Sequence, residues 1–270
     1  MNGHSQQAEK PMPSRILKHK PLIEAILEVK WALVEKGNDQ KVDPDYKFAL
    51  GRLFDRIGKE YPFHEELDAV RLPEELAGHI IQHRFRSAPD TWPLIQIGPG
   101  IFAVNECEGY TWDGFAARTE SAIDALFNSY PADRSPKIQS LCLRYIDAVE
   151  FDWTVNDAFR FLDEKMRVQV QLPEQLFSGD RVLPLPGGFR WQTSYQCLKP
   201  KGTLALRFMT GEVKEKKKAL IWETILTSEG SSVPSLPDGF TAWADEAHTT
   251  CDAWFFTLIE GELERMFDGK

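Results

Sequence analysis

The sequence predicts an α+β fold built from duplicated strand–helix–strands–helix units, an antiparallel sheet with long helices packed on one face. Three observations predict it. Apolar and polar side chains alternate with a period of two at the start of each half, the signature of a half-buried strand. A long apolar stripe of helical period closes each half. The pentamer Leu72-Pro73-Glu74-Glu75-Leu76 returns as Leu172-Pro173-Glu174-Gln175-Leu176 at the same point of the second half. Strands and helices that are each apolar on one side bury those sides together, which leaves the other sheet face open. Residues 1–20 read as a mobile N-terminal tail, 21–131 as the first unit and 132–270 as the second. The two units form a single compact domain or a pseudo-two-fold pair.

The elements follow in order. In PLIEAILEVKWAL, Ile23, Ala25, Leu27, Val29, Trp31 and Leu33 form one face of a strand. Asp43-Pro44 supplies an N-cap and a first-turn proline for a helix, with Phe48, Leu50, Leu53, Phe54 and Ile57 as its stripe. GHIIQHRFR reads as a strand, and PLIQIGPGIFAVNE as a hairpin turning at Gly98-Pro99-Gly100. Thr111 caps a helix whose stripe runs Trp112, Phe115, Ala116, Thr119, Ile123, Leu126, Phe127. The order then restarts with the strand LCLRYIDAVEF and the helix VNDAFRFLDEKM. FRWQTSYQCL, TLALRFM and ALIWETIL are three further strands, and one long helix bearing Trp243, Ala247, Cys251, Trp254, Phe255 and Leu258 ends the chain.

Composition excludes several classes. With 42% hydrophobic residues in 270, the chain can build a core without disulfides or metal. The net charge of −9 repels phosphate backbones, so nucleic-acid binding is not expected. The lysine run at Lys214 and Lys216–218 is interrupted by Glu215 and reads as a solubilising hairpin tip. Four widely spaced cysteines form no C-x-x-C pair, which points to reduced thiols and a cytoplasmic protein. The N-terminus has no apolar signal-peptide core, and no apolar run is long enough to span a bilayer, so no membrane association is expected.

Motifs of catalysis are absent. There is no nucleophile elbow, P-loop or dinucleotide-binding glycine signature, and the paired acids Glu65-Glu66 and Glu74-Glu75 read as solvated loop residues. His79 and His83 are four apart but lack the glutamate of HExxH. On a strand they lie about 13 Å apart, too far to share one ion. No catalytic residue, no metal site and no cofactor is therefore expected, and the chain reads as a protein other than an enzyme.

One polar set is a candidate interaction surface. If Leu27, Val29, Trp31, Leu143, Tyr145, Trp191, Leu206 and Trp222 face the helices, then Glu24, Glu28, Lys30, Arg144, Arg190, Gln192, Arg207 and Glu223 face outward. Such a mixture of arginine, amides and acids among isoleucines suits binding of a protein partner.

Pro21-Leu22-Ile23-Glu24 through Leu27-Glu28-Val29-Lys30-Trp31, with Leu143-Arg144-Tyr145-Ile146-Asp147 mid-chain, resembles an uncharacterised bacterial family. Its members are sporadically distributed and open with a P-L-x-E…E-[IV]-[RK] strand. The resemblance carries over no catalytic residues, and Lys30 stands where arginine is usual. Sporadic occurrence implies mobile genes such as defence or toxin–antitoxin-like loci. The expected function is a protein-interaction or regulatory subunit, an accessory protein of such a system. The alternative is a small-ligand-binding or hydrolytic domain using a cleft between sheet and helices, and a closed apolar pocket with convergent polar groups would favour it.

Overall fold

A computed structural model describes residues 15–37, 40–179 and 181–270. The fold is α+β, organised on one antiparallel sheet of nine strands in the order β4-β5-β6-β7-β1-β8-β11-β10-β9. β1 (Leu22–Trp31) and β8 (Ile138–Glu150) are neighbours at its middle. Outward on the first half's side lie β7 (Ile101–Glu106), β6 (Leu94–Gly98), β5 (His83–Arg86) and β4 (Phe63–Glu66). The other side carries β11 (Lys217–Glu229), β10 (Lys201–Val213) and β9 (Arg190–Leu198). A separate hairpin joins β2 (Val34–Gly37) to β3 (Gln40–Val42). The helices are α1 (Tyr46–Ile57), α2 (Trp112–Phe127), α3 (Ala158–Met166), α4 (Phe240–Ile259) and α5 (Glu262–Phe267). None of them is long and apolar enough to cross a membrane.

The period-two pattern places the core. Ala25, Leu27, Val29 and Trp31 of β1 and Leu141, Leu143 and Tyr145 of β8 are buried in one cluster with Phe115, Ile123 and Leu126 of α2 and Trp243, Ala247 and Cys251 of α4. A second cluster joins Phe208 and Trp222 to Leu162 and Met166 of α3 and to Ile259, Leu263 and Phe267. Trp254 of α4 packs against both clusters. Each fully buried leucine or phenylalanine contributes about 1.5–3 kcal/mol, so these alternating faces hold the sheet and helices together.

Several expectations are corrected. GHIIQHRFR is a strand only from His83, because His79 adopts a left-handed backbone (φ 58°) and its N–H donates to the Pro99 carbonyl. β4, which the sequence did not signal, pairs with it. Asp43 does not cap α1. It is buried and accepts hydrogen bonds from Trp31 Nε1 (2.8 Å) and the Tyr130 hydroxyl (2.7 Å), tying β1 to the end of α2. The face that α1 buries is Tyr46, Ala49, Leu53 and Ile57, and Phe48 is 72% exposed. The terminal helix is broken between α4 and α5 at Gly261, whose φ of 111° only glycine adopts readily.

The expected tail spans 1–20, of which 1–14 lie outside the described residues. Within 15–20 the chain is docked. Leu17 is buried with the α5 residues, and the His19 N–H donates to the Phe267 carbonyl (2.8 Å). Thr111 caps α2 as expected, accepting from the Gly114 N–H (3.2 Å).

Candidate ligand cavity

A cavity of about 310 Å³ opens between α4, the start of α2, β8 and the segment running from Arg15 to Leu22. Strand alternation supplies its floor. On β8, Leu141, Leu143 and Tyr145 point to the core, and the same phase carries Asp147 inward. On β11 the phase of Leu220, Trp222 and Leu226 carries Thr224 inward, opposite Tyr145. Helical spacing supplies a wall. His248, Cys251, Asp252 and Phe255 lie at i, i+3, i+4 and i+7 of α4 and all line the cavity. Trp112, in the first turn of α2, stacks on the His248 ring at 4.0 Å between centroids and 10° between planes.

The floor holds polar groups without partners. Asp147 is 2% exposed, and its carboxyl makes no hydrogen bond or ion pair among the described residues. Burial alone pushes its pKa up to about 8, because an ionised carboxylate there loses water without gaining a cation. The Thr224 hydroxyl is buried and lacks a hydrogen-bond partner among the described residues. The hydroxyls of the cavity's tyrosines are satisfied. The hydroxyls of Tyr110 and Tyr145 are 2.8 Å apart, and Tyr145 Oη lies 2.9 Å from His248 Nδ1. Burial lowers the His248 pKa to about 4, against the opposing pull of Asp113, so the imidazole is neutral near pH 7.

The mouth mixes charges. Lys20 Nζ donates to the Tyr110 carbonyl and sits over the Tyr110 ring. Arg15 pairs with Glu264 at 3.3 Å and lies over Phe256. Both cations are therefore engaged. Asp113 and Asp252 complete the rim, and burial raises the Asp252 pKa while Arg15 lowers it.

One thiol, that of Cys251, lines the cavity. Cys251 and His248 share a helix face, the spacing of a thiol–imidazole pair. The thiol's pKa is raised well above normal by burial, so thiolate is scarce, and His248 Nδ1 is held by Tyr145.

The outward polar set lies on the opposite side of the sheet, as the alternation placed it. Glu223, 4% exposed, accepts from both Arg144 and Arg207, and Arg207 also donates to Gln192 (2.9 Å). Lys30 pairs with Glu28 (2.6 Å), and Glu24 accepts from Asn105 (2.8 Å). Arg190 stands exposed at the start of β9, two residues from Gln192 on the same face. Four of the eight, Arg144, Gln192, Arg207 and Glu223, are thus brought together as a cross-strand ladder, Glu28 and Lys30 pair along β1, and Glu24 bonds outside the set.

None of Asp147, Thr224, His248 and Trp112 was read from the sequence as a site residue. A signal for the first two was present: each is a polar residue in the apolar phase of a core strand, where an acid needs a reason. His248 and Trp112 carried none, since only the packing of α2 against α4 joins them. No protein-family model matches the chain, and no curated protein matches it.

Proposed function

We propose that the protein binds a small amphipathic ligand in this cavity, with a protonated amine seated on Asp147 and an apolar or aromatic body against Trp112, Phe255 and Phe256. The Asp147 carboxyl on the floor, buried and without a partner among the described residues, is the observation that carries the reading. A buried carboxylate costs several kcal/mol unless a cation accompanies it, and a ligand ammonium supplies that cation. Aromatic faces around the site favour the same charge sign. The net charge of −9 draws cations toward the protein, while Arg15 and Lys20 are tied to other groups. Thr224 offers a hydroxyl that can accept a second ammonium N–H.

The test is calorimetric titration of 2-phenylethylamine against its neutral isostere 2-phenylethanol, on the wild-type protein and on Asp147→Asn. The amine is expected to bind and the alcohol to bind at least tenfold more weakly. Asp147→Asn should weaken the amine by about thirtyfold or more, the 2 kcal/mol or greater typical of a broken buried ion pair. Equal binding of amine and alcohol, or an amine affinity unchanged in Asp147→Asn, would remove the proposal.

The same reading treats the chain as a duplicated unit with helices on one sheet face. Its support is the strand order, which repeats outward from the central β1–β8 pair as β7, β6, β5 on one side and β11, β10, β9 on the other. A second functional reading, docking of a protein partner on the outward sheet face, draws support from Ile26, Ile146, Ile221 and Ile225. These half-buried residues surround the Arg144–Glu223–Arg207 cluster. It makes the protein an interaction or regulatory subunit whose state a cavity ligand could report.

A further inference from the structure

We propose that His64, Glu66 and His83, at the β4 edge of the sheet and away from the cavity, form a binding site for a zinc-class divalent transition-metal ion. The three come from two strands. Glu66 and His83 are directly opposite in the β4–β5 register, and His64 lies two residues before Glu66 on the same strand face. One ligand atom from each lies within 4.8 Å of the others. His64 Nε2 and His83 Nδ1 face each other at 2.9 Å. Two nitrogens bound at 2.0–2.1 Å to one tetrahedral zinc ion sit roughly 3.3 Å apart, so the rings need only part by a few tenths of an ångström.

The imidazoles are held in place without an ion. His64 stacks on Phe85 at 5.0 Å and 16°, and His83 is buried beside the Tyr46 ring. Two imidazoles with one carboxylate select zinc, cobalt, nickel or copper over calcium and magnesium, which prefer oxygen donors. His64 and Glu66 are exposed, so a fourth position is open to water. The ion would clip β4, a four-residue edge strand, onto β5. The sequence places His79 and His83 four apart, too far on a strand to share one ion. His79 is turned away, with its Nε2 3.0 Å from the Trp31 carbonyl.

The experiment titrates untagged, chelator-stripped full-length protein with Zn²⁺ and with Co²⁺, reading melting temperature and the visible cobalt spectrum, with Mg²⁺ as control. One equivalent of Zn²⁺ should raise the melting temperature, and Co²⁺ should give visible bands saturating at one equivalent, while Mg²⁺ does neither. His64→Gln and Glu66→Gln change exposed side chains and preserve the fold, checked by the melting temperature of the metal-free variants. His64→Gln should weaken Zn²⁺ at least tenfold and abolish the cobalt bands, and Glu66→Gln should weaken Zn²⁺ severalfold. Absence of saturable binding, or binding that survives His64→Gln unchanged, overturns the site and leaves the His64–His83 contact as a hydrogen bond between rings.

Discussion

Asp147 and His248 line one cavity and respond to pH in opposite senses. Asp147 has a folded pKa near 8 against 3.8 for an ordinary aspartate, so the folded state holds the proton more tightly. Its contribution is undiminished below about pH 4 and is lost as pH rises toward 8, by roughly 1.4 kcal/mol per pH unit at most. His248 has a folded pKa near 4 against 6.5. Its contribution is present above pH 6.5 and is lost as pH falls toward 4. Between pH 4 and 6.5 the two slopes oppose, and between 6.5 and 8 only that of Asp147 remains. Urea unfolding of wild type and Asp147→Asn at pH 5, 7 and 9 checks this. The variant should gain on wild type as pH rises, by on the order of 2–5 kcal/mol at pH 9, and should lose the decline between pH 6.5 and 8. A constant difference across the three pH values would show that the folded state does not raise the Asp147 pKa.

At the level of elements, the sheet's outward face depends on charges that cross strands. Glu223 of β11 is the hub, nearly buried between Arg144 of β8 and Arg207 of β10. Removing the hub leaves two guanidinium groups facing each other without their anion. Both arginines keep partial contact with water, 34% and 22% by side chain, which softens the loss. Glu223→Ala should therefore destabilise by about 2–3 kcal/mol, below the 3–5 of a fully buried pair. A double-mutant cycle with Arg207→Ala should return a coupling near 1 kcal/mol or more. A cost for Glu223→Ala within about 0.5 kcal/mol, the ordinary surface range, would mean that the ladder contributes nothing.

At the scale of the whole molecule, the N-terminal segment links the chain's two ends and walls the cavity. Leu17 is buried against α5, the His19 N–H bonds to the Phe267 carbonyl, and Arg15, Ile16 and Leu17 line the cavity. Deleting residues 1–20 removes that wall along with the burial of Leu17, worth about 1.5–3 kcal/mol. The truncated protein should melt lower and bind 2-phenylethylamine more weakly, both measurable in one thermal-shift series. An unchanged melting temperature would show that the segment does not dock in solution.

The alternation in β1, β8, β10 and β11 was legible in the sequence because a strand's side-chain period is local, although Ile23, expected on the apolar face of β1, is 42% exposed beside a register shift. Thr111 as a cap was legible for the same reason, since its hydroxyl reaches an N–H three residues on. Asp43 was misread because a buried bond to Trp31 and Tyr130 outweighs a cap, and those partners are 12 and 87 residues distant. β4 went unseen because four residues are too short a window for a period to show. Local chemistry, then, determined the elements and their faces. Only the tertiary structure decided that Asp147 and Thr224 meet a cavity instead of solid core, and that His83 meets His64. Those outcomes depend on which strands and helices become neighbours, and contacts across such sequence distances leave no periodic trace in the chain.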